Sequence, residues 1–267
     1  MTDLALQAEG VSFSHTRAPL FEGLDLIVRR GEMAALLGSN GSGKTTLIKL
    51  LAGTIRPRAG KVLLEGRPVG SLPPRERARR VAVVPQDTSL AFDFTVMEMV
   101  LMGRTPHLGA LGLERPEDLD AAREAMRLTG MLPLAGRPLS HLSGGERQLA
   151  VIARALAQKP RVLLLDEPTA HLDIRHRIQI AGVLERLNVQ EGITIVATSH
   201  DINLAARHSR RMILLDAGRV VADGAPSDVM RADLLSEVFR TPLRVERDPL
   251  GGAPWAMPDG RPAEPDL

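Results

Sequence analysis

The sequence predicts an α/β protein: a mostly parallel central sheet, antiparallel strands at the N-terminus and a helical subdomain inserted in the core. Three observations carry that expectation. The glycine-rich stretch Gly38-Ser39-Asn40-Gly41-Ser42-Gly43-Lys44-Thr45-Thr46 stands between a short apolar run, 33–37, and a helical pattern, 47–52. Further apolar runs at 81–84, 162–165 and 193–198 punctuate the chain, with the continuous hydrophobicity of strands buried on both faces. Between about 88 and 159 the pattern turns mostly helical.

Taken in order, residues 4–13 alternate as a strand does and 24–28 form another, antiparallel and joined by short turns. Arg29-Arg30-Gly31-Glu32 turns the chain into the run 33–37. Gly53 is placed to stop the first helix. Residues 61–66 read as a strand ending in a glycine turn, and Pro73-Pro74-Arg75 opens a short helix, since proline is tolerated in a first turn. Strand 81–84 is closed by Pro85-Gln86. In the insert, Thr95 caps a helix over 96–103, and a polar-faced helix runs over 116–130. Ser143 with Glu146 three residues on makes a capping box for the helix 147–157. A helix over 174–190, the strand 193–198 and a helix over about 201–207 follow. Strands 212–215 and 220–222 flank the turn Asp216-Ala217-Gly218-Arg219, and Pro226 and Asp233 begin two short helices. From Asp248 the chain is rich in proline and glycine and reads as a loosely ordered tail, 248–267.

Composition narrows the class. The 267 residues suit one or two domains, and 44% hydrophobic with 25% charged residues is ordinary for a soluble globular protein. The net charge is only +2, and no basic stripe with interleaved aromatics appears, so no nucleic-acid partner is expected. The densest basic run, Arg75-Glu76-Arg77-Ala78-Arg79-Arg80, reads as a solvated helix face. The absence of cysteine excludes disulfides and thiolate zinc sites. There is no signal-like N-terminus, and no apolar run approaches the roughly 20 residues of a membrane span, so a cytosolic location is the default expectation.

The stretch 38–46 fits the phosphate-loop pattern G-x-x-x-x-G-K-[ST] in its required strand–turn–helix context, which makes the core that of a P-loop NTPase. Its glycines let backbone N–H groups close around phosphate oxygens, and the helix N-terminus adds its positive dipole end. Lys44 can reach the β- and γ-phosphates, and the Thr45 hydroxyl can ligate Mg²⁺. In an open parallel sheet, ligands sit at the carboxyl ends of the strands. Strand 162–165 ends in Asp166 and Glu167, the first suited to bind Mg²⁺ through water, the second to orient or deprotonate the attacking water. Strand 81–84 ends in Gln86, whose amide can touch Mg²⁺ or that water. Strand 193–198 ends in Ser199-His200, whose imidazole can reach a γ-phosphate.

A second anion site follows from Leu142-Ser143-Gly144-Gly145-Glu146-Arg147-Gln148, where two glycines after the cap leave bare N–H groups at a positive helix end. Two phosphate-binding helix ends and one nucleotide site are reconciled by a two-fold, head-to-tail dimer. Ser143, Gly144 and Gly145 of one subunit then close over the nucleotide on the other subunit's loop 38–46.

The phosphate loop, Gln86, 142–148, 163–167, Thr169-Ala170-His171-Leu172-Asp173 and His200, in this order, resemble the ATP-binding subunits of ABC transporters. The likeness runs over about 4–239, within an ATP-binding domain expected at 1–247. It implies that ATP and Mg²⁺ are the ligands, that Glu167 is the catalytic base and His200 the switch histidine. It also implies that Gln86 couples the site to a membrane partner and that Asp173 acts across the dimer. The implied partners are a second ATPase subunit, an integral-membrane permease dimer and an extracytoplasmic substrate-binding protein, with the ATPase at the cytoplasmic face of the cell membrane.

A closer resemblance, to the ATPases of ferric siderophore, haem and cobalamin importers, rests on 100–107, Gly109-Ala110-Leu111-Gly112, Leu172-Asp173-Ile174-Arg175-His176 and 200–206. Ferric hydroxamate-type ATPases are the nearest of these. The family usually stacks a Tyr on adenine near the end of the first strand; here His15 stands in that place, with Phe13 in reserve. Glu146 stands where many members have Gln, and the cap still works. Leu90, Ala91, Phe92, Phe94, Met97, Met99 and Met102 either border the groove for a permease helix or form the insert's own core. The alternative function is a soluble ABC ATPase of translation or DNA repair; such proteins generally carry tandem cassettes, a coiled coil or zinc-binding cysteines. Residues 142–148 argue against a phosphate-loop kinase or a GTPase.

Overall fold

The computed structural model describes residues 3–86, 92–109, 112–247 and 252–260. Leu90, Ala91, Ala110 and Leu111, named above, and residues 248–251 and 261–267 of the tail lie outside these. The chain opens with β1 (Leu4–Phe13) and β2 (Phe21–Arg29), paired antiparallel. In β2, Phe21, Leu24, Leu26 and Val28 are buried while Asp25 and Ile27 are exposed, the period-two pattern of a strand with one wet face. β3 (Met33–Gly38) is buried throughout and leads through the glycine-rich loop into α1 (Lys44–Leu51). The helix begins at Lys44, earlier than the pattern 47–52 suggests. Gly43, at φ 104°, takes the cap position with no side-chain cap, so the first-turn N–H groups point into the loop.

β4 (Ala59–Leu64), β5 (Arg67–Pro68), α2 (Pro74–Ala78) and β6 (Val81–Val84) follow. The helical region between β6 and the next strand holds α3 (Val96–Leu101), α4 (Pro116–Thr129) and α5 (Gly144–Ala157). Thr95 and Glu98 form a capping box on α3, and Ser143 and Glu146 form one on α5. Each such cap stabilises a helix by about 1 kcal/mol. Then come β7 (Val162–Leu165), α6 (Ile174–Glu191), β8 (Thr194–Thr198), α7 (Ile202–His208), β9 (Arg211–Asp216) and β10 (Arg219–Gly224). The last described elements are α8 (Pro226–Val229), α9 (Ala232–Phe239), β11 (Leu243–Arg247) and β12 (Pro254–Pro258).

Six strands form the central sheet in the order β10-β9-β3-β8-β7-β6, parallel except for β10 at one edge. A second sheet, β2-β1-β4-β5, is antiparallel. Alternation assigns each strand's side chains to different cores. Val162 and Leu164 of β7 pack with the antiparallel sheet and α1; Leu163 and Leu165 pack with the helical region and α6. Met212 and Leu214 of β9 face a third core with Ala205, Val229, Leu235 and Ala256. Of the Phe/Met cluster, Met99 belongs to the core, Phe94 and Met97 pack partly buried against it, and Phe92 is exposed.

The loosely ordered tail is corrected at 254–258. These residues are β12, paired antiparallel along the whole of β11. Asn203 of α7 binds Ala256 twice, Nδ2–H to its carbonyl at 3.0 Å and Oδ1 from its N–H at 2.8 Å. Prolines sit at both ends of β12, where a lost N–H costs little in an edge strand.

Candidate functional site

The order β3-β8-β7-β6 sets four strand ends side by side, and a cleft of about 350 Å³ lies over them. Asn40, Gln86, Glu167 and His200, one from beyond each strand, line it. A neighbouring cleft of about 300 Å³ is lined by His15, Leu20, Asn40, Gly41, Gly43, Lys44, Thr45, Thr46 and Glu167. The sequence-predicted residues of the loop, Gln86, Glu167, His200 and His15 thus meet in one region.

The loop's shape depends on Gly38, at φ 150°. A Cβ there would lie 2.1 Å from the Leu215 carbonyl oxygen, a backbone atom that cannot swing away. Lys44 is buried, and its Nζ donates to the carbonyls of Gly38 at 2.9 Å and Ser39 at 3.1 Å. Burial pushes its pKa down against the pull of the nearby Glu167 and Asp166 carboxylates, and it ends below the usual lysine value. Ser39 Oγ donates to Asp216 Oδ1 at 3.3 Å, while buried Ser42 Oγ has no protein partner. That orphaned hydroxyl, the uncapped first turn of α1 and the ammonium together suit a polyphosphate.

Thr45 Oγ1 donates to Asp166 Oδ1 at 3.1 Å, joining two of the three expected Mg²⁺ ligands. A hydroxyl beside a carboxylate is the hard oxygen set that Mg²⁺ prefers. Glu167 sits at φ 50°, a left-handed conformation costing a non-glycine residue roughly 1–2 kcal/mol. Its carboxylate is occupied on both sides. Gln86 Nε2–H donates to Oε2 at 3.1 Å, and His200 Nε2 lies 2.5 Å from Oε1. Since a carboxylate only accepts, a neutral His200 carries its proton on Nε2.

Sequence reasoning missed Thr198, fully buried at the end of β8. Its hydroxyl accepts the Glu167 N–H at 2.7 Å and donates to Asp166 Oδ1 at 2.9 Å. One side chain thereby fixes both acids. The available signal was a hydroxyl at the end of an apolar strand, directly before Ser199-His200.

His15 is exposed beside the loop, its Nε2 3.0 Å from Thr46 Oγ1. Phe13 meets its ring edge-on, centroids 4.8 Å apart. Ser143, Gly144, Gly145 and Glu146 line neither cleft. Gly144 and Gly145 lie instead against Leu172 and His176, on either side of Asp173. Asp173 caps α6 through the His176 N–H at 2.8 Å, and its carboxylate accepts His176 Nδ1–H at 2.9 Å. These bonds, the backbone one first, hold Asp173 below the usual carboxylate pKa. A Cβ on Gly145 would lie 2.0 Å from His176 Cδ2 and 2.7 Å from its Cβ, so the loop 143–146 lies directly on that ring.

Residues 21–170 match the family model described as ABC transporter. The chain belongs to the ABC transporter family. As the ATP-binding subunit of such a transporter, it binds and hydrolyses ATP. It is 40% identical over 257 residues to a Bacillus subtilis protein described as a probable siderophore transport system ATP-binding protein, covering 96% of this chain and 94% of the relative. A Streptomyces coelicolor hemin import ATP-binding protein is 45% identical over 244 residues, covering 91% of this chain and 86% of the relative. Among solved structures, an inward-facing transporter assigned to the metal-chelate ABC type superposes with a TM-score of 0.84 at 29% identity, covering 96% of this chain and 98% of that one. Among the described residues, no helix of this ABC subunit is long and apolar enough to cross a membrane.

Proposed function

We propose that the chain powers the uptake of a ferric siderophore or haem. It works at the cytoplasmic face of the cell membrane, beneath a separate permease that receives its cargo from an extracytoplasmic substrate-binding protein. The names of the relatives support the cargo class. The observation that carries the mechanism is the Glu167 carboxylate, held between Gln86 and His200 at the mouth of the phosphate loop.

In this reading, residues 1–247 form the ATP-binding domain. Lys44 exchanges its bonds to the Gly38 and Ser39 carbonyls for the β- and γ-phosphates of ATP. Thr45 and Asp166, with Gln86, would hold Mg²⁺, which would neutralise charge on the phosphate oxygens when bound. Glu167 takes the proton of the attacking water, and His200 hydrogen-bonds the γ-phosphate and so holds it in line. His15 stacks on adenine. Ser143, Gly144 and Gly145 of the second subunit close the site, and Asp173 sits at the joint. ATP thus holds the homodimer together and hydrolysis loosens it. Exposed Phe92 borders the groove for a permease helix in this reading, and Gln86, at the cleft, couples the site to that partner. The test is to identify the membrane protein that co-purifies with the chain, then to measure uptake of ferric siderophores and haem by the reconstituted complex. Uptake that persists without ATP, or co-purification with ribosomes or DNA-repair proteins instead, would overturn the proposal.

A further inference from the structure

Arg177 lies in the first turns of α6 and takes no part in the steps above. Its Nε–H donates to the Leu172 carbonyl at 2.8 Å, immediately before the Asp173 cap. Its Nη1 stands 3.8 Å from Asp201 Oδ2. The other oxygen of Asp201, Oδ1, accepts the Leu204 N–H at 2.9 Å and caps α7. Asp201 follows His200 directly, and His200 reaches Glu167. Arg177, Asp201, His200 and Glu167 all line the cleft of about 350 Å³.

A guanidinium offers several donors in a rigid fork, so one side chain can hold two loops at a fixed spacing. We propose that Arg177 is a positioning residue for hydrolysis: it ties the loop bearing His200 to the loop bearing Asp173 and so sets His200 against Glu167. The inference rests on the reading of Glu167 as the base. Both charged side chains are more than a third exposed, and such pairs add little to stability. Arg177 therefore shows itself in reaction geometry, where a misplacement of about 1 Å costs on the order of 100-fold in rate.

The test compares ATP hydrolysis by the intact chain with that of Arg177→Ala, Arg177→Lys, Asp201→Asn and the Arg177→Ala/Asp201→Asn double variant. Asn caps a helix as Asp does, so Asp201→Asn removes the charge and keeps α7 capped. Arg177→Ala is expected to lower kcat about tenfold or more, with the KM for ATP within about twofold and the melting temperature nearly unchanged. Arg177→Lys is expected to recover part of the rate. Asp201→Asn should reproduce the loss, and the double variant should be no slower than the slower single one. A kcat for Arg177→Ala within about twofold of wild type would overturn the proposal, as would losses that multiply in the double variant. If Arg177→Ala does not fold, Asp201→Asn decides alone, and an unchanged kcat overturns it. A wild-type rate that survives Glu167→Gln refutes the base assignment itself. Loss with Glu167→Gln but not with the Arg177 and Asp201 variants refutes only the role of Arg177.

Discussion

Glu167 is held by three contacts of different kinds: an amide, an imidazole and, at its own N–H, a buried hydroxyl. Glu167→Gln keeps the shape and removes the base. It should retain ATP binding, slow turnover by about 100-fold or more, and leave an ATP-dependent dimer visible by gel filtration; near-normal hydrolysis would sink the assignment. Thr198→Val keeps the shape of the neighbouring side chain and removes both of its bonds. A buried N–H left unpaired costs about 1–3 kcal/mol, so chemical denaturation should show a loss of that order. kcat should fall with it as Glu167 leaves its left-handed conformation. A variant equal to wild type in both measurements would show that the hydroxyl is dispensable. Asp166, Glu167 and His200 were legible in the sequence as candidates because polar residues ended apolar runs. Thr198 was not, because threonine is itself a good strand former and blends into the run it ends.

At the scale of elements, a buried ion pair pins the helical region. Buried Arg104 Nε donates to Asp118 Oδ1 at 2.9 Å, and Arg104 Nη1 donates to the Ala157 carbonyl at the end of α5. Burial raises the pKa of the Asp118 carboxyl, but the Arg115 N–H and the Arg104 guanidinium outweigh it and leave it below the usual value. The stability this gives is fully present above the unfolded-state pKa of about 3.9 and is lost as pH falls through the lower folded value. Asp118→Asn strands a buried cation and should cost about 3–5 kcal/mol at neutral pH. Acid titration of its stability should show a shallower fall below about pH 4 than wild type; parallel curves would refute the linkage. Arg104 belongs to the stretch 100–107 that carried the closer family resemblance, so at least part of that stretch serves packing. The parallel strands were readable because their apolar runs are continuous. The true start of α1 was hidden because Gly43 caps it without a side chain, and β12 because Pro254 and Pro258 disguise its ends.

For the molecule as a whole, the lid residues 143–146 lie apart from the clefts they are proposed to close, which is what a second subunit would resolve. Ser143→Arg loses the capping oxygen and sets a cation at a positive helix end. It should abolish hydrolysis while the loop 38–46 keeps its affinity for ATP, measured by nucleotide titration. Normal turnover by the variant would refute the shared site. Truncation after Arg247 removes β12 and both bonds to Asn203. It should lower stability by about 1–3 kcal/mol, read as a drop of several degrees in melting temperature; an unchanged melt would show that the hairpin is ornamental. The contact between Gly145 and His176 bears on descent. The His176 Cβ and the ring's Cγ and Cδ2 occupy the space a side chain at 145 would need. A lineage can therefore shrink residue 176 first and enlarge residue 145 afterwards, but the opposite order passes through a displaced lid. The two positions inherit a one-way path of change, although 31 places separate them in the chain.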